Sequence, residues 1–77
     1  MPTDDIEERL LDVRDLEPPE PLERVLAEME TLGRRQRIRM LHRRDPYMLY
    51  PILEREHFAH ETSITDDGEF HILIWRK

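Results

Sequence analysis

Along this chain the apolar positions switch between the strand period of about 2 and the helix period of about 3.6, and each switch marks an element boundary. Leu10-Leu11-Asp12-Val13-Arg14 reads as a short strand, with Leu11 and Val13 on one face and Asp12 and Arg14 on the other. Residues 1–8 before it read as a loose acidic lead-in. Leu22, Val25, Leu26, Met29 and Leu32 then form one helical stripe. That helix is expected to open near Pro21, whose fixed φ and missing N–H suit a first turn. Glu17 and Glu20 stand close by, where negative charge suits the helix dipole. Gly33 is expected to follow its last turn.

Gln36 to His42 returns to the strand period. Ile38, Met40 and His42 share one face, and Arg37, Arg39 and Leu41 share the other. Asp45-Pro46 is expected to cap and open a second helix that turns Leu49, Ile52 and Leu53 to the core. Pro51 cannot donate to the carbonyl of Tyr47 and would clash with it, so an irregular first turn is expected. Phe58–Thr65 and Glu69–Arg76 read as a hairpin about Asp66-Asp67-Gly68. With Gly68 in a left-handed position, a three-residue loop sets Phe70, Ile72 and Ile74 opposite Ile64, Thr62 and His60. His71, Leu73 and Trp75 then turn to the other face.

The order is β-α-β-α-β-β. Two strands joined by a helix are expected to be parallel. One apolar face per strand puts both helices on one side of the sheet. The expected fold class is α+β, a two-layer α/β sandwich with a four-stranded mixed sheet, in a single domain over residues 9–77.

Composition narrows the chemistry. The chain has no cysteine, so disulfide and thiol chemistry are excluded, and a metal site would have to use His and carboxylate. Charged residues make up 39% and apolar residues 38%, but the clear periodicity argues against disorder. No run approaches the roughly 18 apolar residues of a membrane span. The acidic start lacks the pattern of a signal peptide. A soluble cytoplasmic protein is the expectation.

The net charge of −6 hides an asymmetry, because Arg34, Arg35, Arg37, Arg39, Arg43 and Arg44 fall within a stretch free of acids. Clustered cations can meet nucleic acid. Here the acidic balance and the lack of interleaved aromatic residues argue against nucleic acid as a partner, and an internally compensated face is the better account.

The stretch Leu11-Asp12-Val13-Arg14-Asp15-Leu16-Glu17-Pro18-Pro19-Glu20-Pro21 joins a strand to a helix through a proline-rich elbow. Together with His42 and Leu49-Tyr50-Pro51 it resembles an uncharacterised family of TusA/SirA-like domains, and the likeness runs from about Leu10 to the C-terminus. In the sulfur carriers of that fold the elbow reads Cys-Pro-x-Pro and the cysteine carries a persulfide. Pro18 stands at that position here, so carrier chemistry is not implied. Members of the uncharacterised family often occur beside hemerythrin-like, iron–sulfur-assembly or nitrogen-oxide-metabolism proteins. The resemblance therefore implies an accessory role in redox or metal-linked metabolism.

Ligands of open α/β sheets tend to sit at the C-terminal ends of parallel strands. That places the elbow, with Arg14, Glu17, Pro18 and Glu20, beside the loop carrying His42, Arg43, Arg44, Tyr47 and Tyr50. Such groups suit a small anion or polar ligand. The plain alternative is that Arg14, Glu17, Glu20 and Arg44 pair as surface salt bridges. The four histidines form no convincing ligand set, because His57 and His60 straddle an element boundary and His60 and His71 face apart. No metal and no cofactor is expected. The hydroxyls of Thr3, Thr31, Thr62, Ser63 and Thr65 stand in no recognisable nucleophile elbow, so catalysis is not expected.

The other sheet face is expected to carry Leu10, Leu41, Leu73 and Trp75, ringed by Arg37, Arg39 and His71. An apolar centre with a charged rim is what an interface needs. The sequence thus favours a non-catalytic interaction or accessory module that docks a protein partner on Arg39, Leu41, His71, Leu73 and Trp75. The alternative is a small-ligand or metal-binding domain built on the elbow.

Overall fold

The computed structural model describes residues 6–77. Strand β1 spans Glu7–Asp12, helix α1 Glu20–Glu30, β2 Gln36–His42, α2 Leu49–Arg55, β3 Phe58–Ile64 and β4 Phe70–Arg76. The sheet order is β1-β2-β4-β3, with β1 and β2 parallel and the other two pairings antiparallel. This is the expected α+β fold with a mixed four-stranded sheet and two helices.

One core holds the layers together. Leu11, Ile38, Met40, Phe58, Ile72 and Ile74 project from the strands into the same cluster as Val25, Met29 and Leu32 of the α1 region and Leu49 and Leu53 of α2. Both helices therefore cover one side of the sheet. Ile38, Leu53, Ile72 and Ile74 are wholly buried, and burying each such side chain is worth about 1.5–3 kcal/mol.

The hairpin adopts the expected register, with Ile64 opposite Phe70, Thr62 opposite Ile72 and His60 opposite Ile74. Thr65 and Glu69 close the loop through Thr65 N–H to the Glu69 carbonyl at 2.8 Å. Gly68 takes a φ of 84°, which a residue without Cβ adopts freely.

Three boundaries differ from the sequence reading. β1 starts at Glu7 rather than Leu10 and ends at Asp12. Glu7 and Glu8, read as lead-in, are strand residues, whereas residues 1–5 of that lead-in lie outside the described residues. The extension is held by polar partners: Gln36 Nε2 donates to Glu7 at 2.7 Å and Arg37 Nε to Glu8 at 2.8 Å. α2 begins at Leu49, after a turn closed by Leu49 N–H on the Pro46 carbonyl at 2.9 Å, so Asp45 does not cap it. Pro51 falls in its first turn, where an N–H has no helical acceptor. α1 ends at Glu30, with Thr31 as its cap, so the helix stops short of Leu32, the last residue of its expected stripe, while Gly33 follows the helix as expected.

No basic residue stands in the last turn of α1, and strand arginines supply the missing donors. Arg76 Nε donates to the Leu32 carbonyl at 2.6 Å, and its guanidinium lies 4.8 Å from the Phe58 ring centroid. Arg9 reaches the Thr31 carbonyl at 3.1 Å and Glu28 at 3.1 Å. Each thereby satisfies or neutralises the negative end of the helix.

Candidate ligand-binding site

The parallel pair fixes where elbow and loop meet. Leu11 stands opposite Met40 and Asp12 opposite Leu41, and Val13 N–H extends the pairing to the Leu41 carbonyl at 3.0 Å. The elbow after β1 and the loop after β2 therefore leave the sheet side by side. In the elbow, Leu16 N–H donates to the Val13 carbonyl at 3.2 Å and Glu20 N–H to that of Glu17 at 2.9 Å. The Pro18–Pro19 bond is cis. Prolines carry no N–H, so they can form a wall that asks for no polar partner.

Two clefts open between these segments. The first, about 330 Å³, is apolar and is lined by Pro18, Pro19 and Leu22 from the elbow and the start of α1, by Tyr47 and Met48 from the loop before α2, and by buried Met40 and Leu49. The second, about 430 Å³, is polar and carries Arg14, Asp15, Glu17 and Arg43. Pro18, His42 and Arg44 line both.

Electrostatics distinguish the three arginines. Arg14 binds Asp12 at 2.8 Å and Glu69 at 3.1 Å. The Arg14 side chain and backbone N–H together hold the Asp12 carboxyl down to about 2. Arg43 lies 3.5 Å from Asp15 and 3.8 Å from Glu69. Arg44 has no acidic partner among the described residues. Its backbone N–H donates to His42 Nδ1 at 3.3 Å, which puts the proton of the neutral ring on Nε2. Burial, and then the Arg44 charge, push the half-buried His42 below its ordinary 6.5, so the neutral ring prevails at pH 7.

Seven of the nine residues expected at this site do line it: Arg14, Glu17, Pro18, His42, Arg43, Arg44 and Tyr47. Glu20 and Tyr50 line neither cleft. Glu20 has entered the first turn of α1, and Tyr50 is drawn toward β3, where its hydroxyl meets Thr62 Oγ1 at 2.8 Å. The surface pairing set against a ligand role is also not the one found. Among the described residues Glu17, Glu20 and Arg44 form no salt bridge, and Arg14 pairs with Asp12 and Glu69 instead. Of the apolar cleft, sequence reasoning named Pro18, His42, Arg44 and Tyr47 and missed Pro19, Leu22, Met40, Met48 and Leu49. A signal for the missing part was there in Met48, a large apolar residue off the stripe of Leu49, Ile52 and Leu53.

The sequence profile of a family described as "Uncharacterized conserved protein (DUF2249)" matches residues 10–76. The chain belongs to that family. No curated protein and no solved structure matches it.

The opposite face of this DUF2249 domain carries the second set of candidates. Arg37 stands opposite Trp75, Arg39 opposite Leu73 and Leu41 opposite His71, so the expected surface residues do share one face. Leu10 is 64% and Trp75 36% exposed, whereas Leu41 and Leu73 are half-buried. Glu8 crosses this face to Arg37 at 2.8 Å and Arg39 at 2.6 Å, and the Arg39 hydrogen bond is the main reason its carboxyl lies below the ordinary range. Two cations of the arginine run are thus engaged within the sheet. Among the described residues no group of three or more His, Asp or Glu is placed to hold a metal ion, and none of the helices is long and apolar enough to cross a membrane. His60 stacks on Tyr50 with ring centroids 4.6 Å apart.

Proposed function

We propose that this domain is a non-catalytic binding module whose working site is the elbow cleft, taking a small organic ligand. One observation carries the reading. Tyr47 and Met48, each 74% exposed, are the most exposed large apolar side chains among the described residues, and both border the cleft. Apolar side chains held in water beside a formed cavity are what a ligand would cover. The cavity volume, about 330 Å³, lies within the usual range for small-molecule sites.

A non-catalytic role is supported by the groups present. His42 hydrogen-bonds a backbone N–H rather than a hydroxyl nucleophile. The likeness of the elbow to TusA/SirA-like sulfur carriers points the same way: with Pro18 where those carriers have cysteine, the elbow keeps its shape-giving prolines and lacks the sulfur.

A second reading is docking of a protein partner, in redox or metal-linked metabolism, on the open sheet face. The exposure of Leu10 and Trp75 favours it. Two surface variants separate the readings in an amide-resolved NMR screen with a panel of small aromatic fragments. The cleft reading expects saturable shifts at Met40, His42, Tyr47 and Leu49 that disappear in Met48→Glu and persist in Trp75→Ala. Shifts confined to Leu10, Leu73 and Trp75, lost in Trp75→Ala, would replace it with the second.

A further inference from the structure

The two clefts meet at Pro18, His42 and Arg44, and the chemistry of that junction narrows the ligand. Pro18 has no N–H to offer. His42 has its Nδ1 taken by the Arg44 N–H at 3.3 Å, which leaves Nε2–H as a donor. Arg14 and Arg43 are held by Asp12, Asp15 and Glu69, while the Arg44 guanidinium has no acidic partner among the described residues. We propose that the site binds an organic anion with a compact apolar body, the body filling the apolar cleft and a single carboxylate- or sulfonate-type head resting at the junction on Arg44 and His42 Nε2–H. This rests on the elbow cleft being the working site.

The surrounding carboxylates set an upper limit on the charge of the head. Glu17 and Asp15 line the polar cleft and Asp45 the apolar one, so a polyphosphate or nucleotide would bring like charges together. The cavity lies at the lower end of the small-ligand range, which suits an aromatic or branched body rather than a long chain.

The test uses anilinonaphthalene sulfonate, its neutral counterpart anilinonaphthalene, and inorganic sulfate, at fixed ionic strength. Affinity is followed by fluorescence or NMR, and the site by amide shifts. The sulfonate is expected to bind at the cleft about 5–10-fold more tightly than the neutral compound, as suits one charge-assisted contact. Arg44→Gln, at an exposed position, should remove that preference by lowering the affinity for the sulfonate toward that for the neutral compound, and Arg44→Lys should restore part of it. Equal binding of the two aromatic compounds at the cleft, or indifference to Arg44→Gln, would overturn the anionic head and spare the cleft. Sulfate binding as tightly as the aromatic sulfonate would overturn the apolar body. Shifts mapping to Leu10, Leu73 and Trp75, or no saturable shifts, would overturn the cleft reading as well.

Discussion

The Tyr50 hydroxyl donates to Asp45 Oδ1 at 2.7 Å, tying the loop before α2 to the helix it leads into. A phenol has one proton, so the Thr62 hydroxyl, 2.8 Å away, must donate to Tyr50 in turn. Asp45 lines the apolar cleft and Tyr50 does not, so the phenol acts on the site from behind, by holding its wall.

Tyr50→Phe keeps the ring on His60 and removes both hydrogen bonds. The expected loss is about 1–2 kcal/mol, read as a lower denaturant midpoint at unchanged slope, with weaker ligand binding at the cleft. The alkaline limb should change too. Burial is the main cause that raises the Tyr50 phenol above its ordinary 10.0, so the folded chain keeps a proton that the unfolded chain releases first. Stability from this group is full below pH 10 and falls as pH rises through the folded value. Tyr50→Phe should flatten that decline. An unchanged midpoint and an unchanged alkaline slope would show that the phenol bears no load.

His42 titrates in the opposite sense. Its folded pKa lies below 6.5, so the unfolded chain takes up a proton before the folded one does. The contribution is present above pH 6.5 and is lost as pH falls through the folded value. NMR titration of the ring protons should give a midpoint below 6.5, rising when an anionic ligand is bound. A midpoint at or above 6.5 in the free protein would contradict the half-buried, Arg44-facing imidazole.

The elements were legible where packing makes them and obscure where polar contacts do. Ile38 and Met40 marked β2 by alternation, and the pairing of Ile64 with Phe70 set the hairpin register. Glu7, Glu8 and Arg9 carry no apolar period, and their strand depends on Gln36, Arg37 and the end of α1, which the sequence does not show to be near. Tyr50 was expected at the site together with Tyr47, but its hydroxyl is engaged by Asp45 and by Thr62, which lies on β3 and is remote in sequence.

Arg76→Lys tests the borrowed cap of α1. Arg76 donates to the carbonyls of Leu32 at 2.6 Å and Met29 at 3.4 Å while lying over Phe58, and an ammonium lacks the planar fork to do all three. A loss of about 1–2 kcal/mol in urea denaturation is expected. A change within about 0.3 kcal/mol would mean water caps that end equally well.

His57 follows α2 with a φ of 65°, the left-handed region. A residue with Cβ there is disfavoured by about 1–2 kcal/mol, and glycine escapes that at an entropic cost of about 0.5–1 kcal/mol. His57→Gly should therefore leave the melting temperature equal or slightly raised, and His57→Val should lower it. Destabilisation by His57→Gly would mean that the imidazole makes a contact worth more than the strain.

The most direct test of the elbow cleft is a crystal structure soaked with a panel of small aromatic carboxylates. A ring between Pro18–Pro19 and Tyr47–Met48, with its carboxylate at Arg44 and His42 Nε2, is the expected result. Compounds bound only on the Leu73–Trp75 face, with the cleft collapsed or filled by its own side chains, would contradict the account.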